Sequence, residues 1–319
     1  MAGRARRPEF HRLANDCIQL LMAFHVPAAD EGLFEEVESR FRLLLAKHIV
    51  TGITEFQFNK WLTNFLTDED RYLAARLLEN LTFRSQEMVG SAIAHILQCI
   101  LPAELRRVGL RFPSIEDFMQ AVSAGGAHHP VRFVEVEGGN QPGKSGAVLM
   151  RELHRLGNVH NGLLIKAQDI KGLTGSVKAL VFVDDMLGTG TQFIAFAKAN
   201  HLADETGKRK LIYCPLAAYS DGLKNLANEC PWLVVCPVEV FGPKHRFFRG
   251  EDARPEVWSI DRVNLVAEVR AHMEMMCKRG GISSSGYGLE LLIGFHHATP
   301  NNTLPVMYAK TPWNHLLVR

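Results

Sequence analysis

One run constrains this chain more than any other: Val181-Phe182-Val183-Asp184-Asp185-Met186-Leu187-Gly188-Thr189-Gly190-Thr191. Its Val and Phe residues form an unbroken apolar stretch, the pattern of a strand covered on both faces. Two carboxylates end that stretch, a short Gly/Thr loop follows, and a helix is expected from near Gly190 to Leu202. Open α/β sheets hold their ligands at the carboxyl ends of the strands. Small loop residues let backbone N–H groups approach an anion, the Thr hydroxyls add donors, and the helix turns its positive end to the same spot. Asp184 and Asp185 can accept hydrogen bonds from vicinal ribose hydroxyls or hold a magnesium ion. An anion cradle beside paired acceptors describes a site for a sugar phosphate or a nucleotide.

The run resembles the PRPP-binding signature of type I phosphoribosyltransferases, in which a hydrophobic strand leads to two acidic residues, a short spacer and Thr-Gly-x-Thr. Here the acids are Asp184-Asp185 and the loop is Thr189-Gly190-Thr191-Gln192. The resemblance implies that the acid pair binds the ribose hydroxyls, with magnesium as the cofactor, and that Gly188 to Gln192 wrap the 5′-phosphate. Gln192 stands where the family usually has the final Thr. A Gln can still donate to phosphate, but its longer side chain changes the pocket.

At 319 residues the chain suits one large domain or two. A hydrophobic share of 47% is ample for a core. Lys+Arg 36 against Asp+Glu 34 is close to balance, so nothing in the charge asks for a nucleic-acid or membrane partner. The basic cluster Arg4-Ala5-Arg6-Arg7 is read as a solvated terminus, too charged and too briefly followed by apolar residues for a signal peptide. No unbroken apolar run reaches the length of a membrane span. Cys17, Cys99, Cys214, Cys230, Cys236 and Cys277 are scattered without a C-x-x-C pair, as expected of reduced core residues in a cytoplasmic protein.

Two halves are expected: a helical N-terminal domain over 1–125 and an α/β domain over 126–319. From Pro8 to Pro113 the pattern is helical throughout. Phe34, Val37, Phe41, Leu44 and Leu45 make one amphipathic stripe, and Phe56, Phe58, Trp61, Leu62 and Phe65 a second. A third runs from Asp68 through Tyr72, Ala75 and Leu78, behind the acids of Thr67-Asp68-Glu69-Asp70, and a fourth includes Met88, Ile93, Ile96 and Leu97. This half could pack on an enzyme core or grip a protein partner. After Ala124-Gly125-Gly126-Ala127-His128-His129-Pro130 the texture changes. Strands are predicted at Val131–Val136, Leu163–Lys166, Ala179–Val183, Leu211–Ala217 and Leu233–Val240, with helices at Gly146–Leu156 and Gly222–Asn228 between them. Such alternation gives a parallel sheet flanked by helices. One long helix over Glu256–Lys278 and a last strand over Leu291–Phe295 complete the prediction.

A second loop, Gly138-Gly139-Asn140-Gln141-Pro142-Gly143-Lys144-Ser145, follows the first core strand and opens a helix. It matches the P-loop pattern, and with Asp184-Asp185 it allows an ATPase or GTPase. That reading leaves the Thr-Gly-Thr turn unexplained. Resemblance to the phosphoribosyltransferases uses both loops: Gly143, Lys144, Ser145 and Gly146 would form the pyrophosphate loop. The family also closes a long mobile loop over its substrate, and the corresponding connection here, Ala167–Ser176, is short. Closure excludes water, so the short connection leaves open a hydrolase or a non-catalytic nucleotide binder.

The C-terminal stretch holds Gly286-Tyr287-Gly288-Leu289-Glu290, the adjacent His296-His297, and Pro300-Asn301-Asn302-Thr303-Leu304-Pro305. If the last strand continues, the two histidines face opposite ways. The prolines bracket a turn whose Asn and Thr groups either cap it or contact a ligand. Together with the helical front and the acid-pair loop, this tail resembles the phosphoribosyltransferase-like proteins with a conserved C-terminal extension found in bacterial conflict and anti-phage gene clusters, some beside retron reverse transcriptases. That resemblance implies an effector acting on nucleotides at ribose C1, with defence-system neighbours as protein partners.

Overall fold

The computed structural model describes residues 24–136, 145–248, 256–286 and 288–319, with only the backbone of Ser145 and Glu256. Its helices are α1 Leu33–Ala46, α2 Glu55–Leu62, α3 Asp68–Glu79, α4 Gln86–His95, α5 Leu101–Arg107, α6 Ile115–Ala124, α7 Ser145–Arg155, α8 Thr191–Ala199, α9 Ser220–Glu229 and α10 Val266–Arg279. Its strands are β1 Thr82–Arg84, β2 Val131–Glu135, β3 Leu164–Ile165, β4 Ala179–Leu187, β5 Lys210–Tyr219, β6 Val234–Val235, β7 Glu239–Phe241 and β8 Ile293–Phe295.

The unbroken apolar runs become the buried centre of a parallel sheet, as an α/β protein requires. Its order is β3-β2-β4-β5-β6, and β7 pairs farther along β5. The single strand predicted over Leu233–Val240 is interrupted at Pro237, which has no N–H to give the ladder. The chain still follows β5 there: Cys236 N–H donates to the Tyr213 carbonyl (2.8 Å) and Val238 N–H to that of Pro215 (3.1 Å).

Alternation along β4 sends side chains to two cores. Val181 and Val183 meet α4, α5, α6 and α7 on one face, through residues such as Ile93, Leu105, Phe118 and Leu149. Leu180 and Phe182 meet α8 and α9 on the other, through Phe193, Phe196 and Leu226. Both faces are therefore covered by helices. A third core joins α1–α3 to α10 and the C-terminal segment, with Trp61 and Trp258 fully buried in it.

Three sequence expectations change. A strand does interrupt the N-terminal half: β1 pairs in parallel with β8, which lies far away in sequence. Three residues are too few to show a period. Within the predicted Leu291–Phe295 strand, only Ile293–Phe295 forms a strand, while Leu291 makes an isolated bridge with Thr303. The long helix predicted from Glu256 begins only at Val266, after a short turn at Glu256–Trp258. Asp261 Oδ1 accepts the N–H groups of Val263 (2.8 Å) and Asn264 (2.9 Å), offering the backbone a turn in place of a helix.

Gln86–Arg107 is one continuous helical stretch, with a wide turn at Ile96–Ile100 just before Pro102. By length and composition it is the one helix among the described residues that could cross a membrane, which a search for unbroken apolar runs misses. Its Val89, Ile93, Leu97, Leu101 and Leu105 line the core under the sheet. Cys214, Cys230 and Cys277 are buried free thiols, whereas Cys99, expected in the core, is exposed.

Candidate functional site

The end of β4 is tied in by its own backbone and by the neighbouring strand β5. Asp184 and Asp185 are 4% and 7% exposed, so both carboxylates have left bulk water. Asp185 N–H donates to Asp184 Oδ1 (2.9 Å), and Met186 N–H donates to Asp185 Oδ1 (2.7 Å). From the neighbouring strand, Tyr213 Oη donates to Asp184 Oδ2 at 3.1 Å. The Tyr213 ring is fixed in turn by stacking on Phe193 of α8, with centroids 4.1 Å apart. Burial pushes the Asp184 carboxyl well above the usual carboxylate range, and the adjacent Asp185 charge pushes the same way. Burial also raises the Tyr213 phenol, with Asp184 the next cause. The acid pair thus titrates as a unit that holds a proton more tightly than a lone surface carboxyl.

The loop after the pair is clasped from two sides. Gly190 has φ +86°, a left-handed conformation that favours glycine, and it starts α8. Gly188 and Gly190 are buried, whereas Thr189, Thr191 and Gln192 are exposed at the helix N-terminus. Thr189 Oγ1 and Thr191 Oγ1 are hydrogen-bonded at 3.1 Å. From α9, Asn225 Nδ2 donates to the Thr189 carbonyl (2.9 Å), and Gly222 packs directly against the Gly188 carbonyl. On another side of Gly188 lies the side chain of Asn302, so close that a Cβ at position 188 would collide with it.

The described residues on either side of the second loop meet at the same edge. Glu135 of β2 is in register with Val183 of β4, which puts Val136 level with Asp184. The buried Gly146 in the first turn of α7 packs on the Val136 carbonyl, where a Cβ would come within 2.5 Å of the oxygen. Ser145 opens that helix. Gly143 and Lys144 lie outside the described residues.

Hard carboxylate oxygens suit magnesium. Among the described residues no group of three or more His, Cys, Asp or Glu side chains could hold a metal. Two adjacent carboxylates, Asp184 and Asp185, could supply one or two of the oxygens of a magnesium ion whose shell is completed by water and substrate oxygens.

A family model described as PRTase-CE matches residues 58–319. The chain belongs to the PRTase-CE family. No curated protein matches it. The PRTase-CE assignment makes this a phosphoribosyltransferase-like protein with a C-terminal extension, in keeping with the parallel sheet flanked by helices. The PRTase-CE match begins inside α2 and runs through the Pro300–Pro305 segment, so it takes in part of the helical front and the whole tail.

That tail is built into the protein. Leu291 N–H donates to the Asn302 carbonyl (2.9 Å), Leu304 N–H to the Leu291 carbonyl (3.0 Å), and the buried Thr303 hydroxyl to the Ile293 carbonyl (2.6 Å). Asn301 is taken up by Arg319. The two histidines do not face apart: β8 stops at Phe295, the chain turns back through Ala298, and the His296 and His297 rings meet edge to face at 4.8 Å. Sequence reading missed Tyr213, Gly222 and Asn225 as supports of the site. Tyr213 carries a weak signal, as one of two phenols in the apolar run of the strand next to the acids.

Proposed function

We propose that this phosphoribosyltransferase-like protein binds PRPP, or a nucleotide presenting the same ribose phosphate, and acts at ribose C1. The observation that carries this reading is the buried Asp184–Asp185 pair opening directly onto the Gly188–Gln192 loop at the carboxyl edge of a parallel sheet, in a chain of this family. Asp184 and Asp185 hold the ribose hydroxyls and a magnesium ion. The loop amides at the start of α8, with Thr189, Thr191 and Gln192, hold the 5′-phosphate. Gly143, Lys144, Ser145 and Gly146 receive the pyrophosphate. When bound, magnesium supplies positive charge to the diphosphate.

In the reaction the bond from C1 to the pyrophosphate oxygen breaks and the electron pair leaves with pyrophosphate. A base nitrogen or a water oxygen then bonds to C1, the proton of the attacking N–H or O–H passes to solvent, and in the water case ribose 5-phosphate results. Charge develops on the leaving group, so fixed donors aimed at it lower the barrier. The connection from β3 to β4 favours water as the acceptor. It contains a short helical turn, Ala167–Gly172, with Ala167 and Ile170 buried, and after that turn Arg209 donates to the Leu173 carbonyl (2.8 Å). It packs on the body of the protein, with little length to fold over a substrate.

The same connection, together with Gln192, favours one second reading: a non-catalytic nucleotide-binding subunit whose helical domain, residues 1–125, grips a protein of a defence complex. Either reading fits an effector or subunit in bacterial anti-phage defence, including retron systems, which the tail resembles.

Phosphorus NMR of purified protein with PRPP and magnesium tests the proposal. Pyrophosphate and ribose 5-phosphate should accumulate, and Asp185→Asn should stop this while the protein stays folded. Full turnover in Asp185→Asn would sink the assignment. Binding without turnover supports the second reading, and ATP hydrolysis lost in Lys144→Ala would restore the P-loop alternative.

A further inference from the structure

Asn302 stands apart from the other polar side chains of the tail. Its neighbour Asn301 is engaged by Arg319, and Thr303 by the Ile293 carbonyl. The backbone at Asn302 is pinned by the bonds between Leu291 and the 302–304 segment. The half-buried side chain nevertheless takes no hydrogen bond among the described residues. A carboxamide carries two N–H donors and an acceptor oxygen, and on a half-buried side chain with no protein partner these stay open to solvent or to a ligand. This one is pressed against Gly188, and the absence of a Cβ there leaves the room it occupies.

Gly188 joins two parts of one site. Before it stands the acid pair assigned to the ribose hydroxyls, and after it the Thr189–Gln192 loop assigned to the 5′-phosphate. In a ribose 5-phosphate the sugar ring is what spans hydroxyls and phosphate, so the ring must pass close to Gly188. We propose that Asn302 is a substrate-contacting residue, whose carboxamide reaches the ribose of the bound ligand and donates Nδ2–H to one of its oxygens. The C-terminal extension would then supply a specificity group for the sugar, separate from the groups that hold the phosphates. This inference rests on the ribose-phosphate reading of the site.

Calorimetric titration with three magnesium-containing probes separates the possibilities: PRPP, ribose 5-phosphate and pyrophosphate. In Asn302→Ala, PRPP and ribose 5-phosphate should each bind about tenfold more weakly, the loss of one hydrogen bond. Pyrophosphate has no sugar and should bind unchanged. Asn302→Leu keeps the branched side-chain shape, removes the donor without adding a charge and should show the same selective loss, which covers the case in which the alanine variant folds poorly. Undiminished ribose binding in both variants overturns the assignment, as does an equal loss for all three probes, which marks a structural role. If wild-type protein binds none of the probes, the reading of the site itself fails and Asn302 falls with it.

Discussion

Tyr213 and Asp184 are joined across two parallel strands by a 3.1 Å hydrogen bond, in which the phenol donates to the carboxylate. This bond favours the charged form of an acid that burial pushes the other way. In Tyr213→Phe the stacking on Phe193 can persist, but Asp184 should hold its proton still more tightly. Magnesium-PRPP binding should weaken by about tenfold at pH 7 and recover as pH rises, while stability falls by about 1 kcal/mol. Titration calorimetry from pH 6 to 9 reads the first effect and thermal melting the second.

The acid pair should also cost stability. Asp184 binds a proton more readily folded than unfolded, so the folded state carries more protons, and this contribution to stability falls as pH rises above the unfolded value. Asp184→Asn removes the charge and can keep both neighbours: its Oδ1 accepts the Asp185 N–H and its Nδ2 donates to Tyr213. The ligand-free variant should melt at or above the wild-type temperature at pH 8, by up to about 1–2 kcal/mol of added stability, while losing PRPP binding. A clear loss of stability would contradict this account of the pair.

Gly188→Ala should push the unbonded Asn302 carboxamide aside and destabilise the protein by no more than about 1 kcal/mol. Asn302→Gly in the same chain vacates that space and should return part of the loss. Denaturant unfolding of the two single variants and the double variant gives the coupling. Strict additivity would show that the two side chains do not meet.

His297 offers a pH test away from the acid pair. Burial, followed by the neighbouring His296 charge, pushes its imidazole down to about 4, and both ring nitrogens are buried without a hydrogen bond among the described residues. The unfolded chain takes up a proton near pH 6.5 and the folded one only near 4, so stability is lost as pH falls through that window. His297→Phe, beside Phe295 at 5.6 Å between ring centroids, should flatten the melting temperature between pH 6.5 and 4. An unchanged pH profile would remove His297 as its source.

The acid pair and its loop were legible in the sequence because their chemistry is contiguous: strand, carboxylates, small residues and helix occupy one run. The central strands were legible for the same reason, since burial on both faces leaves unbroken apolar stretches such as Ala179–Val183. What escaped depends on partners distant in sequence. β1 exists because β8 lies beside it, and Tyr213 and Asn302 reach the site only through the fold. Asp261 ended the expected long helix with side-chain hydrogen bonds that no apolar period reveals.

The most direct measurement is isothermal titration of the protein with PRPP and magnesium, with Asp184→Ala/Asp185→Ala as the control. The account predicts saturable binding to the wild type and none to the folded double variant. Equal binding to both proteins, or none to the wild type, would contradict it.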